Sequence, residues 1–183
     1  MVQTRQTFEE TALADPDRYW ELHDGLLREK PGMTFAHNHL AFNLGYLLRE
    51  QLDREDYEIR VDAGRVRISA ECYYIPDVFV VPIALTGPLR DRSDVLEVYS
   101  SPLPLVVEIW SPSTGSYDID EKVAGHQRRG DLEIWRIHPY ERTLTAWRRQ
   151  PAGTYAETIF RGGSIEPVEW LGTSIDLDSL FDG

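Results

Sequence analysis

The chain has 183 residues, 42% of them hydrophobic, enough to bury a core without disulfide or metal staples and in keeping with one globular domain over residues 1–183. Its formal net charge of −12 runs against a general nucleic-acid binder, whose phosphate contacts show as a basic excess or a basic face. A single cysteine, Cys72, excludes an internal disulfide and any thiolate-rich zinc site, and reads as a small core residue. The N-terminus, with Gln3, Thr4, Arg5 and Gln6, is polar in character and no apolar run approaches the roughly 18 residues of a membrane span, so the expectation is a cytoplasmic protein without export signal or anchor. Positive charge is almost all arginine, 17 Arg against 2 Lys. Arginines gathered in space, such as Arg60, Arg65 and Arg67 or Arg128 and Arg129, would make a local cationic groove; a solvated surface with scattered ion pairs fits the same residues.

In chain order, residues 7–14 read as a short helix capped by Thr7 and ended before Pro16. Asp24-Gly25 between two short strand-like runs predicts a hairpin over residues 19–29, with Glu21 on its first strand. Leu40, Leu44, Leu47, Leu48 and Leu52 recur at spacings of three and four, the apolar stripe of a long helix over residues 35–52. Residues 58–61 and 65–69 read as strands of a second hairpin around Asp62-Ala63-Gly64. Residues 72–81 read as one strand buried on both faces, and residues 82–102 as a long irregular segment of the kind that borders a site.

Residues 105–110 form another doubly buried strand, interrupted by Glu108. Asp118 and Glu121 have the spacing of a capping box opening a helix that runs to Arg129 and stops at Gly130. Residues 132–137 and 143–148 pair as strands, residues 155–160 add another, and residues 174–180 read as a terminal helical turn or strand. The sum is mixed α/β, with central strands that carry two acids.

An ionised carboxylate inside a run such as Tyr73-Tyr74-Ile75-Pro76-Asp77-Val78-Phe79 is costly to bury unless a cation or several donors meet it. Asp77 and Glu108 on neighbouring strands would also repel each other unless a divalent ion sits between them. A hard, oxygen-bound ion such as Mg²⁺ resolves both problems and keeps waters for a substrate phosphate. The alternative is a bulge at Asp77 and an arginine partner for Glu108. Lys122, at the unfavourable end of its helix dipole, needs an anion nearby: Asp118 four residues earlier, or a phosphate. His37-Asn38-His39 offers too few partners for zinc, and Trp135, Trp147 and Trp170 fall in strand-like or apolar runs as core or interface residues.

These residues resemble the PD-(D/E)XK nuclease superfamily and, within it, the Uma-type (Uma-two) endonucleases. The resemblance is carried by Glu21-Leu22-His23-Asp24-Gly25, His37 or His39, Pro76-Asp77-Val78, Val107-Glu108-Ile109-Trp110-Ser111-Pro112-Ser113-Thr114, Asp118, Lys122, Gly130 and Glu133-Ile134-Trp135. It implies a restriction-endonuclease-like mixed sheet flanked by helices, with an N-terminal hairpin and a long helix. Asp77 and Glu108 would be the ligands of Mg²⁺ or Mn²⁺, Lys122 the signature lysine, and Glu21 an auxiliary ligand from the hairpin. In the superfamily's usual pattern the lysine stands two residues after the second acid, where this chain has Trp110; Lys122 would serve from the next helix instead. At position 126 the family more often looks aromatic, and His126 is expected to alter helix packing without touching a ligand. The implied activity is metal-dependent hydrolysis of phosphodiester bonds in DNA, with a homodimer joined through the apolar residues 165–181. The alternative is a catalytically silent module of the same fold that binds DNA or a protein partner.

Overall fold

The computed structural model describes residues 5–113, 115–167, 170 and 172–183, with the side chains of residues 5 and 115–118 outside the description. The elements run α1 (Arg5–Ala14), β1 (Trp20–His23), β2 (Leu26–Glu29), α2 (Phe35–Gln51), β3 (Tyr57–Val61), β4 (Arg65–Ser69), β5 (Cys72–Tyr74), β6 (Val78–Pro82), α3 (Ile83–Thr86), β7 (Val98–Tyr99) and β8 (Leu105–Ile109). There follow α4 (Gly115–Arg129), β9 (Glu133–His138), β10 (Thr143–Arg149), β11 (Tyr155–Phe160), β12 (Ser164–Ile165), β13 (Ile175–Asp176) and α5 (Leu177–Asp182).

The strands form two main sheets. One has the order β2-β1-β5-β4-β7, the other β11-β10-β9-β8-β6-β3, and β12 pairs with β13 in a small ribbon. In the larger sheet β8 and β9 are parallel, joined by α4 as the crossover helix, while β6 runs antiparallel to β8. Side-chain alternation sorts this sheet into two faces. Val78, Val80, Leu105, Val107 and Ile109 pack with Leu40, Leu44 and Leu48 of α2 and with Leu177 and Leu180 of α5. Phe79, Val81 and Val106 face the smaller sheet and meet its Val66, Cys72 and Tyr74.

Most expected elements are present, with corrections that share one cause. The β1–β2 hairpin turns at Asp24 and Gly25, both with positive φ, as the Asp-Gly pair predicts. The α2 stripe is buried at Leu40, Leu44, Leu48 and Leu52, and Thr34 caps the helix. However, β3 and β4 do not form a hairpin: β3 pairs with β6 and β4 with β5, in different sheets. Nor is 72–81 one strand. It divides at Ile75-Pro76-Asp77, and the chain crosses there from one sheet to the other. Pro76 has no N–H to give to a ladder, so the pairing ends and Asp77 is left at the mouth of β6 rather than inside a strand.

Smaller corrections concern the helix starts. Thr7 lies inside α1, where its carbonyl accepts from the Thr11 hydroxyl at 2.7 Å, so it is not the cap. Helix α4 begins by Gly115, which puts Lys122 two turns in; the proposed pairing and capping by the Asp118 side chain lie outside the described residues. Gly130, with φ of 89°, ends that helix as expected. The 82–102 segment contains α3, a 3₁₀ turn and β7, and borders a cleft of about 420 Å³ lined by Arg60, Arg90 and Glu97 rather than the acids of interest. Ile165, Trp170, Ile175, Leu177 and Leu180 are buried in the chain's own core, so they are not available as a dimer contact.

Helix α4 sits close over the smaller sheet because position 125 has no side chain. A Cβ built at Gly125 would lie 2.8 Å from a ring carbon of Tyr74, itself 1% exposed. Overpacking of this kind costs about 1–3 kcal/mol, more than the ~1 kcal/mol that alanine gains over glycine in a helix. Gly125→Ala should therefore lower the urea midpoint, and an unchanged or higher midpoint would contradict the close approach.

Candidate active site

Four elements converge where the two sheets meet. Glu21 comes from β1 of the smaller sheet, Asp77 from the crossing point before β6, Glu108 from β8 and Lys122 from α4. Val78 lies opposite Val107 in the β6–β8 ladder, and extending that register by one residue sets Asp77 opposite Glu108. By alternation both carboxylates share the face of Phe79 and Val106, towards α4. All four side chains are 5% exposed or less.

Each acid is met by several donors, and Lys122 is shared between Glu21 and Glu108. The Ile109 N–H donates to Asp77 Oδ2 at 2.6 Å, and His37 Nε2 from the first turn of α2 stands 3.1 Å from the same oxygen. Lys30 Nζ, beyond the end of β2, donates to Asp77 Oδ1 at 2.7 Å. Burial pushes the Asp77 carboxyl up, but Lys30 and then His37 outweigh it and hold the group well below the usual carboxylate range. Glu21 Oε1 accepts from the Ile75 N–H at 2.7 Å and from Lys122 Nζ at 2.9 Å, and its Oε2 lies 2.9 Å from His23 Nε2.

Lys122 Nζ also stands 3.9 Å from Glu108 Oε2, an ion-pair separation longer than a hydrogen bond. Burial alone would lower its pKa; Glu21, Glu108 and Asp77 together drive it above the ordinary lysine range. Glu108 Oε1 lies 2.9 Å from His126 Nε2, and His126 Nδ1 lies 3.3 Å from Asp131 Oδ2. Asp131 in turn accepts from the Leu103 N–H at 2.7 Å and pairs with Arg129. His126, fully buried, is held above its ordinary pKa by Asp131 and Glu108 against the opposing effect of burial.

The sequence-predicted set of Asp77, Glu108, Lys122 and Glu21 is thus brought together, and the expected arginine partner of Glu108 is replaced by His126 and Lys122. The expectation that His126 touches no acid of the site is corrected by its 2.9 Å contact with Glu108. Lys30 and Asp131 join the site without a sequence motif that marks them. The rarity that marks Lys122 applies equally to Lys30, the other lysine of the chain. Trp110 directly follows β8, where its ring stacks on His138 with centroids 4.4 Å apart and packs beside Ile119 and Val123 of α4. His39 stacks on Phe35, while Arg129 is paired with Asp131, and Arg60 with Glu97 in the cleft away from the acids.

Among the described residues no three His, Cys, Asp or Glu side chains form a ready-made metal cluster. Two buried carboxylates set opposite each other, Glu108 within β8 and Asp77 just before β6, do fit a hard divalent cation, which commonly takes one or two carboxylates and fills its sphere with water and phosphate. An ionised carboxylate has about four acceptor positions, and among the described residues Asp77 has three partners and Glu108 two.

A mixed sheet with one acid inside a strand and a second at the mouth of the neighbouring strand, flanked by helices that supply a lysine and a histidine, defines a restriction-endonuclease-like α/β protein. The chain belongs to the Uma2 family, described as "Putative restriction endonuclease", which matches residues 5–178. Its fold is similar to that of a crystal structure from Anabaena variabilis described as "a putative nuclease belonging to DUF820", with a TM-score of 0.76 and 15% identity over 98% of each chain. It is also 35% identical over 92 residues to the uncharacterized protein sll1609 of Synechocystis sp.; that match spans 50% of this chain and about half (49%) of the relative.

Glu21 gives the site a defined acid response. Burial would raise its carboxyl, but Lys122 and His23 prevail and bring it from its ordinary 4.5 to about 2. A carboxyl lowered on folding adds stability that is complete above pH 4.5 and is lost as pH falls towards 2. Glu21→Gln, which removes one partner of a buried pair, should cost about 3 kcal/mol at neutral pH. Its deficit against wild type should shrink in denaturant titrations between pH 4.5 and 2; a deficit constant across that window would contradict the pairing.

Proposed function

We propose that the protein is a metal-dependent nuclease that hydrolyses phosphodiester bonds of DNA, with Asp77 and Glu108 as ligands of Mg²⁺ or Mn²⁺ and Lys122 as the signature lysine. The observation that carries this reading is the meeting of Glu21, Asp77, Glu108 and Lys122 at one point from four separate elements. When bound there, the cation would supply Lewis-acid polarisation of the scissile phosphate and a water of lowered pKa.

The chain's own residues do the rest. Ile109 N–H and His37 orient Asp77, and His126 fixes Glu108 through one oxygen so that the other faces Lys122. Lys122, driven above the ordinary lysine range, keeps its proton at Nζ and acts as a fixed positive charge towards the phosphate rather than as a base. Glu21 is closer to Lys122 than Glu108 is, 2.9 Å against 3.9 Å, and its role is to aim the ammonium. Trp110 occupies the usual lysine position and packs against α4, which explains why the charge comes from the helix.

A second reading, a catalytically silent module that binds DNA or a protein partner, draws on the −12 net charge and on the protein cations that already neutralise the acids. No described helix is long and apolar enough to cross a membrane, and a cytoplasmic setting belongs to the same proposal. Pairing of two copies to cut both strands would use a surface other than the buried C-terminal residues.

Purified protein with supercoiled plasmid and Mn²⁺ should yield nicked and linear forms, and chelation should stop the reaction. Asp77→Asn and Lys122→Met should each reduce the rate by about 10²-fold or more, the loss typical for removal of one preorganised charge. Cleavage at the wild-type rate in both variants would refute the assignment.

A further inference from the structure

Lys30 is the residue of the site that neither the family resemblance nor the two-acid pattern explains. It lies in the irregular stretch between β2 and α2, with its backbone N–H pinned to the Tyr19 carbonyl at 2.8 Å. Its ammonium uses three donors on three acceptors: Asp77 Oδ1 at 2.7 Å, Asp62 Oδ1 at 2.7 Å and the Ile75 carbonyl at 3.1 Å. The side chain is 5% exposed. Of its two carboxylate partners, Asp77 is 4% exposed and Asp62 is 36% exposed. The bridge therefore runs from the interior of the site to its rim.

Asp62 is itself fixed. It adopts a φ of 46° in the turn between β3 and β4, and its N–H donates to the Asp77 carbonyl at 2.9 Å. A lysine carries a compact charge on a flexible four-carbon stem. It can give up one acceptor and keep the other two without leaving the rim. A divalent cation held through Asp77 would stand against an ammonium already bonded to the same carboxylate, and two such charges do not share an oxygen without cost.

Resting on the metal-dependent reading above, we infer that Lys30 is a built-in competitor for the metal: its ammonium neutralises Asp77 in the metal-free protein and yields that carboxylate to the incoming cation, remaining on Asp62 and the Ile75 carbonyl. Lys30 thus sets the metal affinity of the site rather than taking part in bond cleavage. The exchange makes the two ends of the bridge act in opposite directions. Removing the ammonium frees Asp77, whereas removing the rim carboxylate leaves Lys30 with Asp77 as its one anionic partner.

Calorimetric titration of the full chain with MnCl₂ separates these effects without reference to activity. Lys30→Met should bind Mn²⁺ about tenfold more tightly than wild type, the size of one charge-assisted hydrogen bond. Asp62→Asn, which keeps a residue tolerant of positive φ, should bind it several-fold more weakly. If Lys30→Met does not fold without metal, Asp62→Asn alone decides the question. Equal affinity in all the proteins measured, or a shift of either variant in the opposite direction, overturns the inference while leaving the metal site in place. Absence of Mn²⁺ binding by wild type and by Lys30→Met alike overturns both the inference and the metal-dependent reading.

Discussion

The neutralisation of three carboxylates withdrawn from water organises this molecule. Glu21, Asp77 and Glu108 are each 4% exposed or less, and an ionised group in that position persists only when cations and N–H donors surround it. The chain meets the requirement from every side: Lys30 from the segment after β2, His37 from α2, Lys122 and His126 from α4, and backbone N–H groups at Ile75 and Ile109. Asp77 has Lys30 and His37 for itself, whereas Glu21 and Glu108 share Lys122, so the charges of the site are linked through that ammonium.

The backbone that makes this possible is a chain that changes sheets. Pro76 stops the ladder of β5, and Asp77 emerges where the smaller sheet gives way to the larger. The parallel step from β8 to β9 then requires a crossover, and that crossover is α4, laid over the junction with Lys122 and His126 directed at the acids. Gly125, between those two residues, lets the helix settle against Tyr74. The site is thus a product of topology: acids come from strands of both sheets and cations from the connections between elements.

Much of this was legible in the sequence. The Asp-Gly hairpin, the leucine stripe of α2 and the two acids within apolar runs each carry a local physical signature; the hairpin and the stripe stand where that signature puts them, Glu108 lies within β8, and Asp77 stands just before β6 rather than inside a strand. What escaped notice depends on partners distant along the chain. The division of residues 72–81 turns on which strand each half pairs with, and hydrophobicity is high on both sides of Pro76. Assigning β3 and β4 to different sheets is equally non-local, since Asp62-Ala63-Gly64 suits a hairpin as well as a crossing. Lys30 carries no motif and the sequence around His126 suggests only helix packing; three-dimensional proximity alone shows that both touch acids of the site. The apolar C-terminal stretch looked like an interface because its periodicity cannot say whether the face it covers is its own or a partner's.

The scarcity of lysine has a chemical consequence beyond the site. Both ε-amino groups of the chain are enclosed, with side chains 4–5% exposed, while arginine supplies every other basic charge outside the histidines. In the folded state this protein offers amine-reactive reagents no well-exposed lysine amine. Lysine acylation would therefore report on opening of the sheet junction itself, and slow acetylation at positions 30 and 122 would time how often that junction admits a small electrophile from solvent.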